Sequence, residues 1–158
     1  MLRFLRRGFE RTLEGIVIVL MIALAVEVTA GVVFRYTGHA LVWYDEVASI
    51  LLAWVTFYGA ALAALKGSHI GVPELIRLLP PSARVTFTLL ARALVFGFFI
   101  LLAWVGYAVL EILASDTLVA LPEVSVVWAQ SVIPVSAVLF IIAEALALPE
   151  ALRAARRE

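Results

Sequence analysis

The sequence predicts an all-α membrane protein: four transmembrane helices with both termini cytoplasmic, and a short interfacial amphipathic helix between the second and third. Three observations carry that prediction. Four long apolar runs, residues 12–34, 47–65, 85–110 and 125–148, are separated by short segments that hold almost every charge. Each run is long enough to cross a hydrocarbon core of about 30 Å at roughly 1.5 Å per helical residue. The composition agrees, with 65% of the 158 residues apolar and a mean hydropathy of +1.09. Soluble domains hold about 45–50% apolar residues.

The spans and their connections use nearly all of residues 1–158, so one helical domain is expected and a separate soluble catalytic domain is not. Enzymatic activity is accordingly not expected. The formal net charge is zero and the pI is about 6.7, which gives no sign of nucleic-acid binding. Cysteine is absent, which removes disulfides, thiolate chemistry and iron–sulfur ligation together. Two histidines leave metal sites poorly supplied, and no cofactor is expected.

The first span follows Arg3, Arg6, Arg7 and Arg11, and Ala23-Leu24-Ala25 has the small residues of a signal-peptidase site. The apolar run continues through Val32, Val33 and Phe34, too long for an ordinary signal peptide, so it reads as an uncleaved helix. It closes at Arg35-Tyr36, and Gly38 supplies a break. Trp43 and Tyr44 suit a headgroup layer, where amphipathic rings anchor. Asp45 and Glu46 open the second span, where negative charge opposes the partial positive charge of the helix N-terminus. Within that span Gly59, Ala60, Ala63 and Ala64 form two overlapping small-xxx-small pairs that let helices approach closely.

The connection from Lys66 to Arg84 is apolar for a loop. Pro73 suits the first position of a short helix over residues 73–79, with Glu74 and Arg77 an i,i+3 polar pair, and Pro80-Pro81 ends it. Such a segment is expected to lie in the interface plane. Ser82 is the expected N-cap of the third span. The connection around residues 114–125 carries no basic residue. Pro134 lies inside the fourth span, where it removes a backbone donor and crowds the Gln130 carbonyl, predicting a kink near Gln130. Neither an internal repeat nor a low-complexity stretch is evident.

Orientation follows from the basic residues near the span ends. Ten fall on the side of the termini: the four N-terminal arginines, Lys66, Arg77 and Arg84, and Arg153, Arg156 and Arg157. The other side has Arg35 alone, and Arg92 lies within the third span. Both termini are therefore expected in the cytoplasm.

Ionisable groups within spans are functional candidates by default. Glu14, Arg92 and Glu144 lie one or two turns from the cytoplasmic face, where Arg92 can pair with either acid. Glu27 lies just outward of mid-span among Ala and Val, as either a proton-coupling acid facing a cavity or a contact to another helix or subunit. His39 and His69 invite a haem reading, but they fall on opposite sides of the membrane and cannot share one iron within the chain.

The ordered set Arg35-Tyr36, Trp43, Asp45-Glu46, Ala53-Trp54, Phe57 and Gly59-Ala60-Ala61 resembles a known family. Lys66-Gly67-Ser68-His69-Ile70-Gly71-Val72 and Ile133-Pro134-Val135 extend the likeness over nearly the whole chain. The family is the DctQ-type small permease subunit of tripartite ATP-independent periplasmic (TRAP) transporters. Two departures stand out: Pro73 precedes Glu74 where many members have an acid soon after the His-Ile pair, and Ser136 stands where a glycine often follows Pro-Val.

The resemblance implies a bacterial or archaeal cytoplasmic-membrane protein that scaffolds a large permease subunit during Na⁺-coupled import of an organic acid. It implies further a periplasmic substrate-binding protein as a second partner, with membrane lipids around both. Arg35, Tyr36, Trp43, Asp45 and Glu46 would hold the outer end and help dock the binding protein. Lys66, His69, Ile70, Glu74 and Arg77 would brace the inner face. Glu14, Glu27, Arg92, Gln130, Pro134 and Glu144 are the intramembrane polar and kink candidates. The alternatives are a proton-coupled small multidrug exporter, which Glu27 or Glu14 would serve, and a membrane anchor of a respiratory enzyme.

Overall fold

A computed structural model describes residues 2–67 and 80–157. The helices are α1 (Leu2–Tyr36), α2 (Tyr44–Leu65), α3 (Pro81–Ile112), α4 (Val126–Gln130) and α5 (Val132–Arg157), with a 3₁₀ turn over Leu113–Ser115. Four stretches are long and apolar enough to cross a membrane, the fourth running through α4 into α5. This is a multi-pass membrane protein. α1 and α3 overrun their apolar runs at both ends, most of all α1, where the basic N-terminal residues continue the helix from Leu2. The proposed helix over residues 73–79 lies outside the described residues.

Two glycines at helix ends set the turns. Gly38 adopts φ 79°, donating to the Arg35 carbonyl at 3.3 Å while His39 donates to the Phe34 carbonyl at 3.0 Å. That pair of bonds satisfies the last carbonyls of α1 as a left-handed C-terminal cap. Gly67, at φ 67°, closes α2 in the same manner by donating to the Ala64 carbonyl. At the start of α3 the expected cap is displaced. Pro80 is the N-cap and Pro81 the first helical residue, so Ser82 lies inside the helix. Proline at that position loses no bond and its fixed φ is already helical.

The helices form a row rather than a closed bundle. α1 packs on α2, α2 on α5, and α5 on α3. Of the most apolar window in each span, 39% is buried in the α4–α5 span against 6% in α1 and in α3. α5 is the inner helix, and its buried side runs through Val132, Ser136, Ala137, Phe140, Ala143, Glu144 and Ala147, the spacing of one helical face. The core joins Phe140 and Ala143 to Ala61, Ala64 and Leu65 of α2 and Leu13 of α1. Phe99 of α3 stacks on Phe140, with ring centroids 3.6 Å apart and planes 9° from parallel.

The small residues are divided in use. Ala60, Ala61 and Ala64 face the core, but space around Gly59 is open. The close approaches fall elsewhere. A Cβ at Gly31 would lie 2.0 Å from the Tyr44 ring, and one at Gly106 would lie 3.0–3.3 Å from Ile133 and Pro134. In lipid, where apolar burial does not drive helices together, such contacts supply much of the attraction.

The fourth span breaks at Ser131, between α4 and α5. Pro134, in the first turn of α5, offers no N–H to the Gln130 carbonyl, while Ser131 donates to Val127 and Val135 donates to Ser131 on either side of the gap. The interruption at Ser131 thus falls where Pro134 withholds its N–H.

Gly31→Ala is expected to force the Tyr44 ring aside and lower stability by about 1–3 kcal/mol, the usual cost of overpacking. Gly59→Ala should change it by less than about 1 kcal/mol, since its Cβ meets open space. Unfolding midpoints in mixed detergent check both.

Candidate functional site

Polar side chains gather at the two ends of the row. At the loop end, Arg35 occupies the last turn of α1 and Tyr36 is 91% exposed. Trp43 is the N-cap residue of α2 and makes no side-chain cap bond. Asp45 and Glu46 lie in the first turn of α2, where their charge suits the helix N-terminus.

Glu46 does something the sequence does not announce. One carboxylate oxygen accepts the Val119 N–H at 3.0 Å and the other the Ala120 N–H at 2.8 Å. This two-pronged contact ties α2 to the 113–125 connection. The connection has its own order: a bridge pairs Thr117 with Ser125, and Leu118 N–H donates to Val124 at 2.9 Å. Leu118 turns inward and, with Val47, Leu51, Trp54 and Trp128, lines a cavity of about 200 Å³. Val119 next to it is 92% exposed. Trp54 adds a second tie, its indole N–H donating to the Ala129 carbonyl at 3.1 Å in α4. The spacing of 73 to 75 residues between these partners explains why no local pattern shows them.

At the terminal end, Arg6 donates to the Leu65 carbonyl at 2.9 Å and so satisfies the C-terminus of α2. Lys66 pairs with Glu14 at 2.5 Å. That hydrogen bond holds the Lys66 amine above its ordinary pKa, against the opposing effect of desolvation. A raised amine pKa stabilises the fold at every pH below the unfolded value and loses the effect only as pH climbs through the folded one, so neutral conditions leave the pair intact. Between the two helices Glu27 lies on the stripe Leu13, Leu20, Leu24, Glu27 and Gly31 that α1 turns toward α2. Its Oε1 is buried without a hydrogen-bond partner among the described residues.

Arg92 chooses Glu144 rather than Glu14. The pair joins α3 to α5 within the apolar layer, with the Glu144 side chain 4% exposed and that of Arg92 26% exposed. Helix order decides the choice: α5 stands next to α3, and α1 lies at the far side of α2. Gln130 ends α4, Pro134 packs near Gly106, and His39 Nδ1–H donates to the Thr37 carbonyl 3.0 Å away. His69, Ile70, Glu74 and Arg77 lie outside the described residues. Among the described residues no three of His, Cys, Asp or Glu converge as a metal-binding group.

The model of the family described as "Tripartite ATP-independent periplasmic transporters, DctQ component" matches residues 24–154. A Haemophilus influenzae protein named "Putative TRAP transporter small permease protein" is 31% identical over 84 residues, 51% of this chain and 51% of that protein. The match thus spans about half the length of that curated relative.

Removing Glu46 (Glu46→Ala) is expected to speed amide exchange at Val119 and Ala120 at least tenfold, since bonds to a charged group contribute about 1.5–3 kcal/mol each. Hydrogen exchange resolved by mass spectrometry reads it, with the amides in the middle of α2 as the unchanged reference. Arg92→Ala or Glu144→Ala alone should cost about 3–5 kcal/mol by stranding a buried charge, whereas Arg92→Leu with Glu144→Leu should cost far less. Detergent unfolding of the three variants provides the comparison.

Proposed function

We propose a role that starts from one premise: this chain belongs to the family of DctQ components of tripartite ATP-independent periplasmic transporters. It is the small membrane subunit of such a transporter and a scaffold for the large permease subunit. The large subunit carries out Na⁺-coupled import of an organic acid that a periplasmic binding protein delivers. The protein resides in the cytoplasmic membrane with both termini inside, a direction supported by the ten basic residues on the terminal side against Arg35 on the other.

The observation that carries this reading is the open row. α1 and α3 stand at its two ends with long apolar faces, including Ile18, Ile22 and Val26 on one and Leu94, Phe98 and Leu101 on the other. A scaffold needs broad faces of that kind, whereas a substrate site needs converging polar groups. The 200 Å³ cavity beside Leu118 is apolar in its lining. Glu27 sits in a helix–helix seam, which favours a contact role over a proton-coupling one in an exporter. Arg35, Tyr36, Trp43, Asp45 and Glu46 serve the outer end and docking of the binding protein. Lys66, His69, Ile70, Glu74 and Arg77 brace the inner face.

A mild-detergent pull-down of the tagged chain from its native membrane tests the proposal. A permease of many spans is expected to co-purify in stoichiometric amount. Recovery as a bare homodimer, or with a haem or flavin enzyme, would overturn it.

A further inference from the structure

A groove of about 450 Å³ runs along the α1–α2 pair, and neither Glu46 nor the Arg92–Glu144 pair lines it. α1 lines it with Arg11, Gly15, Val19 and Leu20, and α2 with Trp54 and Tyr58. From Arg11 to Leu20 it covers about 14 Å of helix at 1.5 Å per residue. One end has a charge and the other has none.

The charged end has no internal use. Lys66 is taken by Glu14, and Arg6 by the Leu65 carbonyl. Arg11, and Arg7 one turn before it on the same side of α1, have no ion-pair partner among the described residues. Both side chains are exposed where α1 enters its apolar run. A guanidinium there meets the phosphate layer of a bilayer and can bind phosphate through two parallel N–H donors.

The rest of the groove is mainly apolar, with the Tyr58 hydroxyl as its other polar group. Thr12 turns its hydroxyl to the Gly8 carbonyl at 3.0 Å, and Trp54 spends its N–H on Ala129. The indole therefore offers only its ring to the groove, with the Tyr58 ring 6.1 Å away. Gly15 leaves the floor open, since a Cβ there meets nothing within 4 Å.

We infer that this groove is a phospholipid site, holding one acyl chain between α1 and α2 with the anionic headgroup paired to Arg11. Charge complementarity selects an anionic lipid over a zwitterionic one. The single cation at one end, with about 14 Å of apolar wall beyond it, matches a lipid lying along the membrane normal.

The full chain, purified in mild detergent and given equal amounts of phosphatidylglycerol and phosphatidylcholine, is examined by mass spectrometry of the intact complex. One phosphatidylglycerol is expected to be retained at least fivefold over phosphatidylcholine. Arg11→Gln should reduce that preference to within twofold. Gly15→Leu, whose Cβ meets nothing within 4 Å, should reduce retention of both lipids about fivefold. Circular dichroism and elution volume verify that each variant is folded, and Gly15→Ala replaces Gly15→Leu if the latter fails, with a smaller loss expected. Equal retention of the two lipids, an unchanged preference in Arg11→Gln, or full retention when the groove is filled would each overturn the inference. So would cross-linking of Gly15→Cys to another protein in native membranes, which would assign the groove to a partner helix.

Discussion

The approach of α2 to α5 along Ala61, Ala64 and Ala143 is the contact on which the rest of the molecule depends. Without water to exclude, van der Waals contact and polar bonds must hold helices together, and alanines allow both backbones to come near. Once that pair is formed, each outer helix has a surface to meet. α1 lays Leu13 against the α2 side, and α3 brings Phe99 onto Phe140. Loss of the middle pair would part the α1–α2 half of the row from the α5–α3 half.

Polar bonds then fix the arrangement that packing alone leaves loose. They are placed where apolar surface gives little directional control: Glu46 at the loop end, Lys66 with Glu14 at the terminal end, and Arg92 with Glu144 between α3 and α5. A charged group in an apolar layer stays low in energy only beside its counter-charge, so the Arg92–Glu144 pair discriminates against slipped registers more strongly than it attracts. Glu27 differs, its Oε1 having no hydrogen-bond partner among the described residues.

Spans, turns and the chain break at Pro134 are legible in the sequence because hydropathy and backbone chemistry act locally. Gly38 ends α1 through its left-handed backbone, and Pro134 lacks an N–H wherever the other helices lie. The spatial order α1–α2–α5–α3 is not legible, since each span is apolar on most of its circumference. Everything that depends on that order is hidden with it. Arg92 has two acids at similar depth, and only neighbourhood selects Glu144. Glu46 looks like a helix-terminal charge until the 113–125 connection is folded over it. Ser82 shows the opposite lesson: a residue well suited to capping is displaced by a proline pair that fixes the helix start two residues earlier.

The length of α1 has a mechanical consequence. Its 35 residues run unbroken from Leu2 to Tyr36, about 52 Å at 1.5 Å per residue, whereas a bilayer with its headgroups is roughly 40–45 Å thick. α2 has 22 residues and little to spare. An α1 aligned with the membrane normal carries its first turns beyond the headgroups as a stiff post, continuous with the rest of the rod. A torque applied to that post is delivered to Arg35 and Tyr36 without a joint to absorb it.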